Sequence, residues 1–310
     1  MLAPRLLERL GNPRRVLLAG CGGGYDVLGA VPLVHELRGA GLSIELANLS
    51  FSYLNGLDAR QDPEHPNLYA VEARAATERS YCPEAWLAHW LDATYGGSHV
   101  VWSFDKAGVR PLARAYRALV ERLAIDAIVL IDGGVDAVLR GDELSLGTPS
   151  EDLASLAAAT SLGVPVALAC IGMTAELRDG ISHGQVFERI AELTRANAYL
   201  GAVSLVAGTP PGDAYLRAVE HVFSGQMHHK RSHVHGVITR ALAGEFGAPA
   251  PDIWLSALAS MYWLFDAVEV ARTHLFLDEL RETDTMRDVV ARVEAARENI
   301  QIRGRCAITI

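Results

Sequence analysis

The glycine turn, Gly20–Gly24, has glycine at four of its five positions and constrains this chain more than any other stretch. It follows the apolar run Val16–Ala19 and precedes a helix-compatible stretch. This order predicts a strand, a tight turn and a helix N-terminus, which is how many ligand-binding α/β domains begin. Glycine allows positive φ angles and close approach of a ligand to the backbone. Because exposed amides and the helix dipole favour negative charge, the turn predicts an anion-binding site.

The other apolar runs predict strands that alternate with helices. A strand–helix–strand unit implies parallel pairing, so we expect a Rossmann-like α/β fold, with a mostly parallel sheet, helices on both faces and a helix-richer C-terminal part. No linker divides the chain, and we expect a single domain over 1–310, with a glycine-turn part at about 1–206 and a helix-rich part at about 207–310. The predicted strands are Arg15–Ala19, Ile44–Leu49, Leu68–Ala73, Val100–Phe104, Ala127–Asp132, Val164–Ile171 and Tyr199–Val206.

The predicted helices lie between and after these strands. Ser150 is expected to cap an alanine-rich helix, because its hydroxyl would accept a hydrogen bond from an early amide. The uncharged segment Ile253–Phe265 is too short for a membrane span and predicts a buried helix that runs into a strand, Trp263–Val270. The last residues, Arg305–Ile310, would close a sheet edge. The helices are 1–12, a helix from the glycine turn to Arg38, Pro83–Tyr95, Arg110–Leu123, Ser150–Ser161, Gln185–Ala196, Asp213–Phe223, His233–Glu245, Asp252–Met261 and Thr285–Ile300.

The acidic composition excludes some classes of partner. A formal net charge of −9 argues against a surface for nucleic acid or for an anionic membrane. The N-terminus lacks the apolar core of a signal peptide. The cysteines form no CxxC pair, so neither a zinc ribbon nor a dithiol redox motif is supported. We expect a reduced, cytoplasmic protein without nucleic-acid or membrane partners, and the sequence leaves a homo-oligomer open. The four cysteines are Cys21, Cys82, Cys170 and Cys306.

Several nucleotide-binding motifs compete for the glycine turn. A P-loop needs a lysine that is missing, because Tyr25 and Asp26 follow Gly24. The dinucleotide fingerprint and the methyltransferase pattern both favour an acid after the second strand, where Asn48 stands instead. Asp26 has two interpretations: it contacts a hydroxyl or a metal-bound water, or it satisfies N–H groups of the first helical turn. The alternative to ligand binding is a crowded strand–helix crossing that needs glycine for packing.

An acidic loop begins where the strand Ala127–Asp132 ends. Asp132, Asp136, Asp142 and Glu143 bring four carboxylates into twelve residues. Ligands of open parallel sheets bind beyond the carboxyl ends of the strands, so we expect Asp132 near the glycine turn. Carboxylates on a glycine-rich backbone suit a hard cation such as Mg²⁺, and Asp132 and Asp136 are its predicted ligands. A solvated turn is the alternative interpretation.

Three other loops contribute candidate residues. Thr148 would donate a hydrogen bond to a ligand. Glu176 follows a buried strand and has two interpretations, an acid–base group or, as we expect, an exposed surface residue. The long loop Phe51–Asn67 lies at the same sheet edge as the glycine turn, where loops often act as lids or recognise substrates.

The histidines are concentrated in one segment that also carries two basic residues. His229 and His233 have an i,i+4 spacing that would suit zinc on one helix, but Ser232 resembles an N-cap and would leave His229 outside that helix. Arg231 with its lysine neighbour would offer positive charge to an anionic ligand, and a solvated loop is the third interpretation. The segment contains His228, His229, Lys230, Arg231, His233 and His235.

Two motifs together resemble one family. They are Gly22-Gly23-Gly24-Tyr25-Asp26-Val27-Leu28-Gly29-Ala30, and Ile131-Asp132-Gly133-Gly134-Val135-Asp136 with Gly141-Asp142-Glu143. Over most of its length the chain resembles the DUF1152 family of uncharacterised bacterial and archaeal proteins. The resemblance implies a Rossmann-like α/β fold and a recurring combination of the glycine turn with the acidic loop. It implies no activity, and the histidine-rich segment has no counterpart in that pattern.

The combined motifs predict a cytosolic enzyme that acts on a phosphate-bearing small molecule, either a nucleotide or an activated sugar. Divalent-metal-assisted transfer or hydrolysis would use Asp132, Asp136 and Asp26 as catalytic residues. The alternative is a non-catalytic sensor or scaffold that binds a nucleotide or dinucleotide. A third hypothesis is an enzyme that uses S-adenosylmethionine or NAD. The predicted ligand-binding residues are Gly20, Gly22, Gly23, Gly24, Tyr25, Asn48, Gly133, Gly134, Thr148 and Arg231.

Overall fold

The computed structural model of the protein describes residues 4–251 and 253–304, so the sheet edge expected at Arg305–Ile310 lies outside the described residues. The strands are β1 (Arg15–Gly20), β2 (Ser43–Leu49), β3 (Arg60–Gln61), β4 (Leu68–Val71), β5 (Val101–Phe104), β6 (Ala127–Asp132), β7 (Val166–Ile171), β8 (Tyr199–Ser204), β9 (Gly247–Ala250), β10 (Ile253–Leu255) and β11 (Met261–Asp266). The α-helices are α1 (Pro4–Arg9), α2 (Val31–Gly39), α3 (Pro83–Tyr95), α4 (Val109–Leu123), α5 (Pro149–Ala159), α6 (His183–Arg195), α7 (Pro210–Gly225), α8 (His233–Leu242), α9 (Ala267–Thr273), α10 (Leu277–Leu280) and α11 (Met286–Glu298).

Among the described residues, nine strands form one sheet in the order β3–β4–β5–β2–β1–β6–β7–β11–β8, and β9 and β10 form a separate antiparallel pair. The central strands β5, β2, β1, β6 and β7 are parallel, whereas β4 and β11 run antiparallel to their neighbours. The chain passes from β1 to β2 on one side and later enters β6 on the other, so the strand order reverses at β1. The predicted Rossmann-like, mostly parallel sheet is confirmed.

Helices cover both faces of the large sheet. Along β1, Leu17 and Ala19 pack with residues of α4, α5, α6 and α11, while Val16 and Leu18 pack with residues of α2, α3 and α7. Successive strand residues point to opposite faces, so a strand covered on both sides needs a continuous apolar run. Strand β6 is accordingly apolar and buried up to its last residue, Asp132. None of the helices in the described residues is both long and apolar enough to cross a membrane.

Local sequence signals explain where two of the helices begin. Helix α3 begins at Pro83, whose missing N–H would have no partner in a first turn, and it is followed by Gly96 at φ +73°. Helix α11 begins with a capping box, in which the Thr285 hydroxyl accepts from the Asp288 N–H and the Asp288 carboxylate accepts from the Thr285 N–H. Both α3 and β6 have the bounds predicted from the sequence.

The helix after the glycine turn begins later than predicted. A 3-10 helix, Asp26–Ala30, follows the turn, and α2 begins only at Val31. Pro32 explains the change, because it has no N–H and its ring would clash with the carbonyl of Leu28 in a continuous α-helix. The prediction of an α-helix N-terminus directly at the turn is therefore wrong.

The predicted helix Asp252–Met261 is also wrong. The described part of this segment forms β10, which pairs with β9, and a 3-10 helix, Ala257–Ser260. Pro251 precedes it and cannot donate a helical hydrogen bond, while the Ser256 hydroxyl accepts from the Leu258 N–H and starts the 3-10 helix. Apolar character alone does not distinguish a short strand from a helix, which is why the sequence was misleading here.

Two further boundaries differ from the prediction. The N-cap position of α5 is Thr148 rather than Ser150, because Pro149 occupies the first helical position. Strand β11 ends at Asp266, so the predicted strand Trp263–Val270 is placed too far along the chain. The carboxylate of Asp266 accepts hydrogen bonds from two amides of α9 and thereby starts that helix.

Candidate functional site

The loops after β1, β6 and β7 meet at the carboxyl edge of the sheet. Gly20 of β1 pairs with Ile131 of β6, and Asp132 pairs with Cys170 of β7, so the three strands end side by side. The Cys21 N–H donates to the Ile131 carbonyl at 2.9 Å, which ties the glycine turn to the end of β6. This edge lies where the strand order reverses, the usual position of ligands in open α/β sheets.

Five carboxylates gather at this edge, and we call Asp26, Asp132, Asp136, Asp152 and Glu176 the acidic cluster. They come from the 3-10 helix after the glycine turn, the end of β6, the loop after β6, the first turn of α5 and the loop after β7. All except Asp26 are buried, with 2% to 7% of their surface exposed. One carboxylate oxygen of each of Asp132, Asp136 and Asp152 lies within 4.8 Å of the other two. In the described part of the chain, none of the five forms an ion pair with a basic residue.

Burial and mutual repulsion raise the pKa values of the acidic cluster. Burial is the largest cause for Asp132, Asp152 and Glu176, and the negative charge of Asp136 adds to it at each of them. Burial also raises the pKa of Asp136 itself. The pKa of Asp26 rises to about 7, again mainly through burial, although backbone amides favour its charged form. Asp26 is therefore partly protonated near neutral pH, and burial disfavours the charged form of the other four carboxylates.

Asp26 occupies the amides that the sequence analysis assigned to a bound anion. Its Oδ2 accepts from the Gly22 N–H at 2.7 Å, and the amides of Gly23 and Gly133 also lower its pKa. A Cβ on Gly133 would lie 2.6 Å from Asp26 Oδ1, and a Cβ on Gly22 would lie 2.7 Å from Asp26 Oδ2. Asp26 thus bonds to backbone amides, as its second interpretation had it, but these amides belong to the glycine turn and to Gly133 and not to the first helical turn. These glycines leave space for a carboxylate of the chain itself.

Two buried thiols border the acidic cluster. Cys21 Sγ lies 3.4 Å from Asp152 Oδ1, and the Cys170 thiol hydrogen-bonds to Asp132. Cys21, Asp26 and Asp152 form a second group of potential metal ligands within 4.8 Å of one another. Burial raises the pKa of both thiols, so both remain protonated and weakly nucleophilic at neutral pH.

Sequence reasoning did not identify Asp152 and Glu176 as members of the site. Asp152 resembles an ordinary acidic residue in a first helical turn, and Glu176 was expected at the surface, which is wrong because it is buried. The Val135 N–H donates to Glu176 at 2.5 Å, and a Cβ on Gly134 would lie 2.5 Å from the same carboxylate. The available signal in the sequence was Gly134, because the Glu176 carboxylate occupies the space that a side chain at position 134 would need.

Asn48 and Tyr25 hold the glycine turn through hydrogen bonds within the protein. Asn48 Nδ2 donates to the Gly24 carbonyl at 2.9 Å and to Glu84 Oε1 at 2.8 Å. The Tyr25 hydroxyl donates to the Lys230 carbonyl at 3.3 Å, and the Tyr25 ring packs edge-on against two aromatic side chains. Both side chains thus fix the shape of the turn from positions inside the protein.

Phe51 covers the outer side of the glycine turn. Its ring is the nearest group to the space a Cβ on Gly23 would fill, and Gly23 has a φ of +97°. Lys106 Nζ lies 4.0 Å from the centre of the ring and 2.7 Å from a carboxylate oxygen of Glu151. Phe51 is 47% exposed, and Asp26 is the member of the acidic cluster that is not fully buried.

The acidic residues predicted after β6 separate into two groups. Asp142 pairs with Arg140 and Arg303, and Glu143 pairs with Arg303. Burial alone would raise the pKa of Asp142, but hydrogen bonds from both arginines hold it below its ordinary value. Unlike the members of the acidic cluster, Asp142 and Glu143 are neutralised by basic residues of the chain.

The two other predicted contact residues have different surroundings. The Thr148 N–H donates to Asp136 Oδ2 at 2.9 Å, so Thr148 supports the acidic cluster through its backbone. Arg231 is exposed, and its guanidinium carbon lies 5.6 Å from the centre of the Phe223 ring.

The histidine segment is organised by the start of α8. The Ser232 hydroxyl accepts from the His235 N–H at 3.2 Å, so the predicted N-cap is confirmed and His229 lies outside the helix. His235 Nε2 lies 2.9 Å from the Tyr25 carbonyl, and its Nδ1 lies 2.6 Å from the Tyr215 hydroxyl. Burial lowers the pKa of His235 to about 4, so the ring is neutral. Among the described residues, the groups with metal-ligand spacing contain no histidine.

A family model described as a protein of unknown function, DUF1152, matches residues 88–298. The chain belongs to the DUF1152 family. The part matched by the DUF1152 model contains four of the five acidic-cluster residues, and the glycine turn precedes it. Comparisons with the curated proteins and with the solved structures found no match. The resemblance to DUF1152 is thus confirmed, and membership of DUF1152 assigns no activity to the site.

Proposed function

We propose that this DUF1152 protein is a cytosolic enzyme that acts on a phosphate-bearing small molecule, a nucleotide or an activated sugar, with a divalent cation. Asp132, Asp136 and Asp152 would hold the cation. The convergence of their carboxylates within 4.8 Å carries the proposal, because buried acids without positive partners repel one another unless protons or a cation intervene. Mg²⁺ and Mn²⁺ suit such oxygen ligands and keep water and substrate phosphate as their other ligands.

The substrate phosphate would bind through the cation and not in the glycine turn. Asp26 already accepts hydrogen bonds from the amides of this turn, and a second anion at the same amides would be repelled. A bound divalent cation stabilises charge on the phosphate and lowers the pKa of a bound water. We assign Asp26, the partly exposed member of the acidic cluster with a pKa of about 7, as the group that accepts the proton of the attacking water or hydroxyl.

The other two hypotheses remain distinguishable. A non-catalytic sensor would bind the same cation and ligand, so only turnover separates it from an enzyme. An enzyme using NAD or S-adenosylmethionine receives less support, because Asn48 at the end of β2 already donates to Gly24 and Glu84. The Asn48 Nδ2 group is thereby held within the protein, and no acid stands at this position to bind a ribose.

Parallel measurements of ligand binding and turnover test the proposal. Protein with Mn²⁺ would be screened against nucleoside triphosphates and nucleotide sugars for product release, and against the same compounds by thermal shift. Asp26→Asn is expected to lower kcat by about 10²–10⁴-fold while ligand binding persists. Asp58→Asn changes an exposed acid outside the cluster and should leave both readouts unchanged. Ligand-induced stabilisation without turnover would favour the sensor, and the absence of both would contradict the proposal.

A further inference from the structure

A cavity of about 530 Å³ lies at the amino edge of the sheet, at the end opposite to the acidic cluster. It arises because β5 begins late relative to β2. Strand β2 begins at Ser43, but its first residue paired with β5 is Leu46, opposite Val101. Residues Ser43–Glu45 pair with β1 on one side, and no strand of the described residues pairs with them on the other. We call this opening the sheet gap.

The backbone of Ile44 faces the sheet gap. In β2, the Ser43 N–H donates to the Arg14 carbonyl on the β1 side, whereas the Ser50 N–H donates to the Phe104 carbonyl on the β5 side. The polar groups of successive residues point to alternate sides of a strand, so the even-numbered residues of β2 face β5. The N–H and C=O of Ile44 therefore point into the gap, where no strand of the described residues receives them. Unpaired strand backbone of this kind can accept an added strand.

Charged side chains of both signs line the sheet gap. Glu45 is half-buried, and burial raises its pKa more than Arg15 and His99 lower it. None of the hydrogen bonds of the described residues involves its carboxylate. Arg38 is exposed, and its Nη1 lies 3.2 Å from His99 Nε2, while His99 Nδ1 lies 2.8 Å from Asp92. The apolar part of the lining includes Val34, Leu42, Leu46, Leu91, Val100 and Trp102.

We propose that the sheet gap binds a free, zwitterionic tripeptide with apolar side chains as an added strand. Three extended residues span about 10 Å, the length of Ser43–Glu45. The peptide backbone pairs with Ile44, its side chains enter the apolar lining, and its terminal ammonium and carboxylate bind Glu45 and Arg38. The cavity volume lies in the range of about 300–1,000 Å³ that is common for small-ligand sites. A protein terminus would bring only one of these two charges, whereas a free tripeptide brings both.

Isothermal titration with trivaline tests the proposal. Blocking its N-terminus by acetylation, or its C-terminus by amidation, is expected to weaken binding about tenfold or more, because each removes a charged hydrogen-bonding group. In Glu45→Gln, acetylation should no longer matter while amidation still does. In Arg38→Gln, amidation should no longer matter while acetylation still does. Glu121→Gln changes an exposed acid outside the gap and is expected to behave as the wild type.

Three outcomes would overturn the tripeptide site. The first is that trivaline does not bind. The second is that free valine binds as tightly as trivaline, which would exclude pairing with the backbone. Alternatively, peptides blocked at either end would bind the wild type as well as trivaline does, which would exclude recognition of a free peptide. Methylation of the central amide nitrogen provides a further check, because it removes a backbone donor and should weaken binding if the peptide pairs with Ile44. The melting temperatures of Glu45→Gln and Arg38→Gln should equal that of the wild type. Any loss of binding then reflects the changed side chain and not unfolding of the variant.

Discussion

Single residues of the acidic cluster disfavour the folded state when no cation is bound. A raised pKa means that the charged carboxylate is less stable in the folded protein than in the unfolded chain, by about 1.36 kcal/mol per pKa unit. For Asp26, the pKa rises from an ordinary 3.8 to about 7. Residues that reduce stability in this way are typical of functional sites, where activity and stability compete.

Replacing Asp132 by asparagine should therefore stabilise the protein in the presence of a chelator at pH 8. Asparagine removes the charge but keeps an oxygen that accepts from the Ala137 N–H. We expect the free energy of unfolding, measured by urea denaturation, to rise by about 1–3 kcal/mol. Asp58→Asn should stay within about 0.5 kcal/mol of the wild type. Marked destabilisation by Asp132→Asn would contradict an unpaired charge at this position.

Replacing Gly133 by alanine should disturb the acidic cluster through Asp26. The new Cβ would lie 2.6 Å from Asp26 Oδ1, so the carboxylate would have to move. We expect a loss of about 1–3 kcal/mol in unfolding free energy and a smaller thermal shift with Mn²⁺. Gly236→Ala, in α8, is the matched control, because no atom lies within 4 Å of its Cβ position and alanine favours a helix by about 0.5–1 kcal/mol. Equal effects of the two substitutions would exclude a specific role for Gly133.

At the scale of secondary-structure elements, the acidic cluster, whose carboxylates form no ion pairs within the described residues, is separate from the loop around Asp142, whose carboxylates pair with arginines. Helix α11 belongs to the second region, since Arg297 near its end donates to the carbonyls of Gly141 and Glu143 at 2.8 and 2.9 Å. The helix thereby holds the loop that leaves the acidic cluster, without contributing a carboxylate to it. Accordingly, we expect some substitutions to change the unfolding free energy without changing Mn²⁺ binding at the acidic cluster.

Thr285→Ala tests this separation. It removes the hydroxyl that accepts from the Asp288 N–H at the start of α11. We expect the unfolding free energy to fall by about 1 kcal/mol, the usual cost of losing an N-cap, with the thermal shift caused by Mn²⁺ unchanged. Thermal melts with and without Mn²⁺ measure both quantities. A reduced Mn²⁺ shift would show that α11 is coupled to the acidic cluster.

At the scale of the whole molecule, two quantities should change with pH in opposite directions. They are the stability of the protein without a cation and the additional stability that Mn²⁺ provides. Raised carboxyl pKa values contribute stability at low pH that is lost as pH rises through the folded-state pKa, about 7 for Asp26. Burial lowers the pKa of His235 and His274, to about 4 and about 3, so their contribution is lost as pH falls below their ordinary value of 6.5. Between pH 6.5 and pH 8.5 most of the histidine contribution is therefore retained, and the fall in stability comes from the carboxylates.

Thermal melts across this range provide the measurement. With a chelator, the melting temperature should fall between pH 6.5 and pH 8.5, whereas the stabilisation caused by Mn²⁺ should grow, because cation binding displaces protons. In Asp132→Asn, both trends should be weaker. A Mn²⁺ shift that is independent of pH would mean that the cation binds outside the acidic cluster.

Sequence patterns predicted those features that depend on neighbouring residues and on the general geometry of parallel sheets. The bounds of β6 follow from its continuous apolar run, and the position of Asp132 near the glycine turn follows from the common edge of parallel strands. Asp152 and Glu176 were missed because only the packing of α5 and the pairing of β7 with β6 bring them to that edge. The short strand β10 was missed for the same reason, since it depends on pairing with β9.

Direct titration of the chelator-treated protein with Mn²⁺ at pH 8, followed by the electron paramagnetic resonance signal of free Mn²⁺, tests the cation site most directly. The wild type should bind Mn²⁺ saturably at the acidic cluster. Asp152→Asn should weaken this binding about tenfold or more, because Asp152 belongs to both groups of potential ligands, while Asp58→Asn should have no effect. Equal binding by the wild type and Asp152→Asn, or no saturable binding at all, would contradict a divalent cation site in the acidic cluster.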